Sequence, residues 1–201
     1  MRVIMETRIV SIEIKEFPAV IFTDSHTDIQ NIQSLQKMYP GNQMICLGDI
    51  TSMFSRGAND ANICSIQFFM DNRIPCLMGN HESIIGFENS PDYRNIPVPQ
   101  KEFLRKLPRG CKLVLPDNTN YFGYHNRPDD LWCFTEKHTL SRSEFLNTYP
   151  IGPETRGVFI GHQHTNFVRD YGDALLIAVG SLSDDGFYAL LDEGGVEFRQ
   201  L

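Results

Sequence analysis

Several things are scarce in this chain, and each scarcity removes a class of protein. No stretch approaches the ~20 consecutive apolar residues of a membrane helix, and no apolar run precedes a small-residue cleavage site near the N-terminus. A soluble, cytoplasmic protein with no membrane partner is expected. Positive charge is short, with 18 Lys and Arg against 25 Asp and Glu and a net charge of −7. That argues against a general nucleic-acid binder, which needs a basic face. An anionic small substrate stays open, because bound divalent cations invert the local sign of a site. The five cysteines, Cys46, Cys64, Cys76, Cys111 and Cys133, are odd in number and widely spaced. Neither a disulfide framework nor a thiolate zinc site fits them, and buried thiols in a reducing compartment are expected. Internal repeats and low-complexity tracts are also missing. At 201 residues and 41% hydrophobic content, the chain suits one domain over residues 1–201, with 1–17 as an N-terminal strand or extension.

What the chain does have is a series of apolar runs that end abruptly in polar groups. Residues 74–78 lead into Gly79-Asn80-His81-Glu82. A buried parallel strand delivers polar residues to its carboxyl end in this way, where open α/β sheets keep their sites. Residues 18–23 end in Asp24-Ser25-His26. On an extended backbone, a carboxylate and an imidazole two residues apart face the same side and can meet one cation. Asp24, Ser25 and Asp28 equally suit a helix N-cap before the periodic Ile29, Ile32 and Leu35. Residues 43–47 end in Gly48-Asp49, followed by a loop over 50–59 and a helix capped by Asp60. Strand, helix, strand, helix, strand with short connections predicts parallel α/β units.

The middle is less regular. Residues 87–100 contain Pro91, Pro97 and Pro99 and read as a surface loop, followed by a short amphipathic helix over 101–107. Residues 112–115 and 121–124 form a hairpin, and His125 follows its second strand. Ser141 with Glu144 three residues on makes a capping box. Five strands are predicted beyond residue 156, and the first ends in Gly161-His162-Gln163-His164. Of six histidines, His26, His81, His125, His162 and His164 follow predicted strands. A single histidine is more often a packed or surface residue than a ligand. Five at equivalent places, with Asp24, Asp49 and Asn80, are hard to explain by packing. Mixed Asp, His and Asn donors without thiolate suit Mn, Fe, Zn or similar ions. So many donors exceed the needs of one ion and point to a pair sharing a carboxylate, as in two-metal phosphoryl chemistry.

The ordered set Asp-x-His, Gly-Asp, Gly-Asn-His-Glu, His and Gly-His-x-His resembles the calcineurin-like metallophosphoesterase superfamily, from about residue 18 to 191. It looks most like the small, cap-less phosphodiesterase branch. The resemblance implies a four-layer α/β/β/α sandwich of two mixed sheets with metals at the strand ends. It implies two divalent ions, Mn first and Fe, Zn or Ni as alternatives. One would be held by Asp24, His26 and His164, the other by Asn80, His125 and His162, with Asp49 bridging. A hydroxide between the ions would attack phosphorus, and His81 would assist without binding metal. The substrate would be a small phosphodiester, with phosphomonoesters also accepted.

The sequence departs from the family in places. The superfamily's serine/threonine phosphatases and diadenosine tetraphosphatases follow Gly-Asp with Val-Asp-Arg-Gly, whereas Ile50 and Thr51 follow it here. Arg56 is a candidate phosphate-binding group after a short insertion. Glu82 keeps a serine/threonine-type or dinucleoside-polyphosphate phosphatase as the alternative. Asn126 stands where the family has Gly, which makes His138 a rival to His125. A catalytically silent scaffold is disfavoured by the complete donor set, and a nuclease by the acidic charge. Oligomeric state is left open, a homodimer included.

Overall fold

A computed structural model describes residues 8–53, 58–87, 91–132 and 140–201. Its architecture follows from strands that are apolar on both faces. In β2 (Ala19–Phe22) all four residues are buried. Ala19 and Ile21 enter one core, Val20 and Phe22 another. The same period of two divides Ile45 from Met44 and Cys46 in β3 (Met44–Cys46), and Ala189 and Leu191 from Tyr188 and Leu190 in β9 (Phe187–Asp192). Side chains alternate across a strand, so each such strand must be covered on both sides.

Two mixed sheets result. The first has six strands in the order β1 (Ile9–Glu13), β4 (Gly110–Val114), β5 (Asn120–Tyr124), β6 (Thr155–Ile160), β8 (Leu175–Val179), β7 (Asn166–Asp170). The second has four, in the order β10 (Gly195–Gln200), β9, β2, β3. Their facing sides enclose a core of Ile21, Ile45, Leu113, Phe159, Ile177 and other apolar residues. The outer face of the four-stranded sheet carries α1 (Ile29–Met38), α2 (Ala58–Asn72), α3 (Asn80–Phe87) and α4 (Val98–Lys106). The outer face of the other carries α5 (Arg142–Thr148), anchored by Phe145. This is the expected α/β/β/α sandwich. The β2–α1–β3 unit is parallel, the β4–β5 hairpin antiparallel, and all five strands of the last third are present.

Local differences have local causes. Residues 74–78 make a single bridge, Cys46 to Cys76, rather than a full strand. Pro75 has no N–H to donate, and the Met78 amide turns away to the Pro108 carbonyl at 2.8 Å. Asn80, His81 and Glu82 therefore form the first turn of α3 and not a loop. The 87–100 stretch is only partly loop. It contains a 3₁₀ turn over Pro91–Tyr93, buries Tyr93 and Ile96, and starts α4 at Val98. Prolines 97 and 99 are tolerated there, where helix amides have no partner anyway. Helix α2 begins at Ala58, so Asp60 lies in its first turn instead of capping it. The Ser141–Glu144 capping box is present. Cys46, Cys76 and Cys111 are buried, but Cys64 is exposed on α2, and Cys133 lies outside the described residues.

Candidate metal centre

Five chain reversals at one end of the two sheets carry the site. Asp24 and His26 follow β2, Asp49 follows β3, Asn80 opens α3, His125 follows β5, and His162 and His164 follow β6. Asp24, His26, Asp49, His162 and His164 have φ values of 52°, 41°, 52°, 63° and 52°. These are left-handed conformations that non-glycine residues adopt at a cost of about 1–3 kcal/mol each. The Asp24–His26 pair thus converges by tight turning, not by the strand alternation expected from the sequence. Neighbouring glycines make room. Gly48, at φ 114°, has a mirror conformation closed to side chains, and a Cβ there would press on the Gly79 amide and His125 Nδ1. A Cβ on Gly79 would collide with the Asp49 carboxylate.

The donor atoms fall into three overlapping groups, each within 4.8 Å: Asp24, His26 and His164; His26, Asp49 and His81; Asp49, His125 and His162. Asn80 Oδ1 lies 3.0 Å from His125 Nε2, adding the amide oxygen. Asp49 stands in two of these groups, between the other donors.

The hydrogen bonding fits a cation. Asp24 Oδ2 accepts the Thr23 hydroxyl at 2.7 Å and the His162 amide at 2.8 Å. Its other oxygen is buried and makes no hydrogen bond, although His164 Nε2 is 3.2 Å and His26 Nε2 3.7 Å away. His26 Nε2 and His164 Nε2 face each other at 3.1 Å. A carboxylate oxygen confronting two imidazole nitrogens without bonding them is a set of lone pairs aimed at a common point. The far side of each ring agrees. His26 Nδ1 and His81 Nδ1 donate to the Thr51 carbonyl at 3.1 and 2.7 Å, and His125 Nδ1 donates to the Leu47 carbonyl at 3.2 Å. Carbonyl acceptors require the proton on Nδ1, which leaves Nε2 as the donor atom. Metal-ligating histidines are oriented in this way.

Electrostatics in the metal-free site are strongly coupled. Burial works against charge on Asp49, but His125 beside it, then His81 and His26, hold its carboxyl below the usual range. Asp24 is likewise lowered, with its link to His164 and the charge of His125 outweighing burial. Burial disfavours charge on His125, yet Asp49, then Asp24 and Glu82, push its imidazole up to about 10. His162 is driven down to about 4 by burial and by the neighbouring His125. His164 is raised to about 9, first by the Asp24 carboxylate that faces it and then by Asp184, against the effect of burial. Binding a cation here must displace protons from His125 and His164.

Some supporting residues carry little sequence signal. Glu82 is fully buried and accepts four hydrogen bonds, from the amides of Asp49 (2.8 Å), Thr51 (3.0 Å) and Gly79 (3.0 Å) and the Thr51 hydroxyl (2.6 Å). Asp49 Oδ1 accepts the His81 amide at 3.1 Å, so two carboxylates satisfy the open amides at the start of α3. His81 is oriented by the Thr51 carbonyl. His164 Nδ1 meets Asp184 at 2.6 Å. For helix α1, Asp28 is the cap, accepting the Asn31 amide at 3.0 Å, which leaves Asp24 to the site. Arg56 and His138 lie outside the described residues. His125 is fully buried in the cluster despite Asn126 behind it.

Two facing mixed sheets with Asp, Asn and His gathered at their strand ends define an α/β/β/α scaffold with a candidate metal site. The model of the calcineurin-like phosphoesterase family matches residues 17–196, and the chain belongs to that family. It is similar to the crystal structure of a hypothetical protein from Pyrococcus horikoshii OT3, with 13% identity, TM-score 0.67, and coverage of 92% of this chain and 87% of that one. A putative diadenosine tetraphosphatase aligns at 15% identity and TM-score 0.62 over 96% and 97% of the two chains. An archaeal phosphodiesterase aligns at 18% identity and TM-score 0.52 over 91% and 98%. Likeness at these identities speaks to the fold alone. No curated protein sequence gives a match. Among the described residues, no helix is long and apolar enough to cross a membrane.

Proposed function

We propose that this protein is a binuclear-metal phosphoesterase of the cytoplasm that hydrolyses small phosphodiesters and accepts phosphomonoesters. The observation that carries the reading is Asp49, whose carboxylate stands between the Asp24–His26 side and the His125–His162 side of the site. Asp24, His26 and His164 would hold one divalent ion and Asn80, His125 and His162 the other, with Asp49 shared. Mn is the first candidate, and Fe, Zn and Ni suit the same donors. When bound, the ions supply Lewis acidity toward a phosphoryl oxygen and lower the pKa of water so that a nucleophile exists near neutral pH.

The chain's own residues do the rest. Asp49, held in place by Glu82 and the His81 amide, would set its negative charge between the two cations. His81 carries one proton on Nδ1, fixed by the Thr51 carbonyl, and its Nε2 points into the site 3.5 Å from Asp49 Oδ2. From there Nε2 would donate a proton to the departing oxygen and, as imidazolium, neutralise charge on the phosphoryl group. Arg56 is proposed to bind the phosphate.

The test is hydrolysis of a chromogenic phosphodiester and its monoester by metal-stripped protein reloaded with Mn, with Asp49→Asn and His81→Ala alongside. Mn-dependent turnover should fall at least about 10³-fold in Asp49→Asn and about 10²-fold in His81→Ala. Wild-type protein that binds no divalent metal would sink the reading. A dinucleoside-polyphosphate phosphatase is the second reading, favoured by Glu82 directly after Gly-Asn-His. Faster turnover of diadenosine tetraphosphate than of the simple diester would select it.

A further inference from the structure

We infer that Asp184 is a positioning residue that tunes the cation held by Asp24, His26 and His164, an inference that rests on the two-metal reading above. Around the site, His26, His81 and His125 each tie Nδ1 to a main-chain carbonyl. His164 differs, because its Nδ1 meets the Asp184 carboxylate at 2.6 Å. A carboxylate acceptor does more than orient the ring. Its charge makes the opposite nitrogen a stronger donor, and removing such a partner usually weakens metal binding.

Asp184 is also held toward its task from behind. Its amide donates to Ser181 Oγ at 3.1 Å, and the Ser183 hydroxyl donates to Asp184 Oδ1 at 3.2 Å. Buried Ser181 in turn donates to the Asp24 carbonyl at 3.1 Å, and the Ser183 amide donates to the same carbonyl at 3.2 Å. The loop after β8 therefore clips to the turn that bears Asp24 and presents Asp184 to His164. Two donors of one cation are joined through this loop, while the donors around Asn80 and His125 have no link to it among these hydrogen bonds. The Asp184 side chain is 54% exposed. An exposed pair of this kind adds little to folding stability, so its expected effect is on metal affinity and not on the fold.

The experiment is calorimetric titration of Mn into metal-stripped wild type, Asp184→Asn and Asp184→Glu, with thermal melts of the metal-free proteins. Asp184→Asn should weaken one of two binding events by about 10–100-fold, leave the other unchanged, and leave the metal-free melting temperature in place. Asp184→Glu should recover part of the loss. Two events in wild type with a superimposable Asp184→Asn isotherm overturn this inference alone. Weakening of both events with a lower metal-free melting temperature also overturns it, by showing a general structural role. Wild type that takes up no metal overturns it together with the functional reading.

Discussion

The two halves of the candidate metal centre are built on different terms. Asn80, His125 and His162 lie in the floor, at 4%, 0% and 7% exposure. His26 and His164 stand nearer solvent, with side chains 15% and 38% exposed. In the floor, the Leu47 carbonyl orients His125, and the donors are closed in by the surrounding protein. At the rim it comes partly from a surface carboxylate. The floor stores charge that burial would otherwise forbid, because His125 is compensated by Asp49, Asp24 and Glu82. The rim can call on water instead. A buried donor thus serves stability and chemistry together, whereas an exposed one serves chiefly chemistry.

Removing one donor from each half tests this contrast most strongly. His125→Ala leaves buried carboxylates uncompensated and should destabilise the metal-free protein by about 3–5 kcal/mol. His164→Ala should cost less than His125→Ala, since the His164 side chain is 38% exposed and its Asp184 partner reaches solvent, although it also faces the buried Asp24. Denaturant unfolding of both variants in the presence of a chelator measures the difference, and equal losses would erase the distinction between the halves. Activity should follow the same order, falling about 10²–10³-fold for the floor and about 10–100-fold for the rim.

Glu82 sharpens the comparison from beneath the floor. Glu82→Gln preserves shape but turns an amide NH₂ toward backbone donors that now lack an acceptor. A loss of about 1–3 kcal/mol is expected, with weaker metal binding in both halves because Glu82 holds the amide of Asp49, which the two halves share, and Thr51, whose carbonyl orients His26. Urea unfolding with parallel Mn titration reads both effects. A stable variant with normal metal affinity would show that the buried carboxylate is dispensable.

The smallest expected effect is in pH. In the metal-free protein, His125 at about 10 and His164 at about 9 stand above the unfolded value of 6.5. Their stabilisation is complete below about pH 6.5 and disappears as pH rises through the folded values. His162 at about 4 has the opposite sign, so stability also falls as pH drops from 6.5 toward 4. Chelated protein should therefore melt at its highest temperature near neutral-acid pH and a few degrees lower by about pH 9, the floor histidine dominating. Mn-loaded protein should instead gain with rising pH, as protons compete less for the donors. Melting curves that rise together up to about pH 9 would contradict the charge assignment of His125.

Much of the fold was legible without coordinates. Both-sided apolar strands such as Ala19–Phe22 demand cover on two faces, and parallel βα units followed by a strand-rich last part agree with the two mixed sheets that the family resemblance implied. Residues 74–78 misled because an apolar run does not show that the Met78 amide turns away to the Pro108 carbonyl, while Pro75, with no N–H to give, was visible in the sequence. The candidate donors were legible as polar residues ending apolar runs. Glu82's four hydrogen bonds were not, since buried acceptors are defined by amides 3 to 33 positions away. Asp184 was not either, being one of two adjacent carboxylates, Asp184 and Asp185, in a turn with no pattern around it.

By itself, then, the sequence determined the alternation that makes two layers of sheet, the glycines that let Asp49 and Asn80 come close, and the chemical types of the donors. These are local properties, set by side-chain period and backbone freedom. Which donors share a group, which nitrogen of each ring faces inward, and how burial divides the floor from the rim were decided only by the tertiary structure. Those relations join residues up to 157 positions apart, as from Ser181 to Asp24, and hydrogen bonds and Coulomb forces act on distance in space, not along the chain.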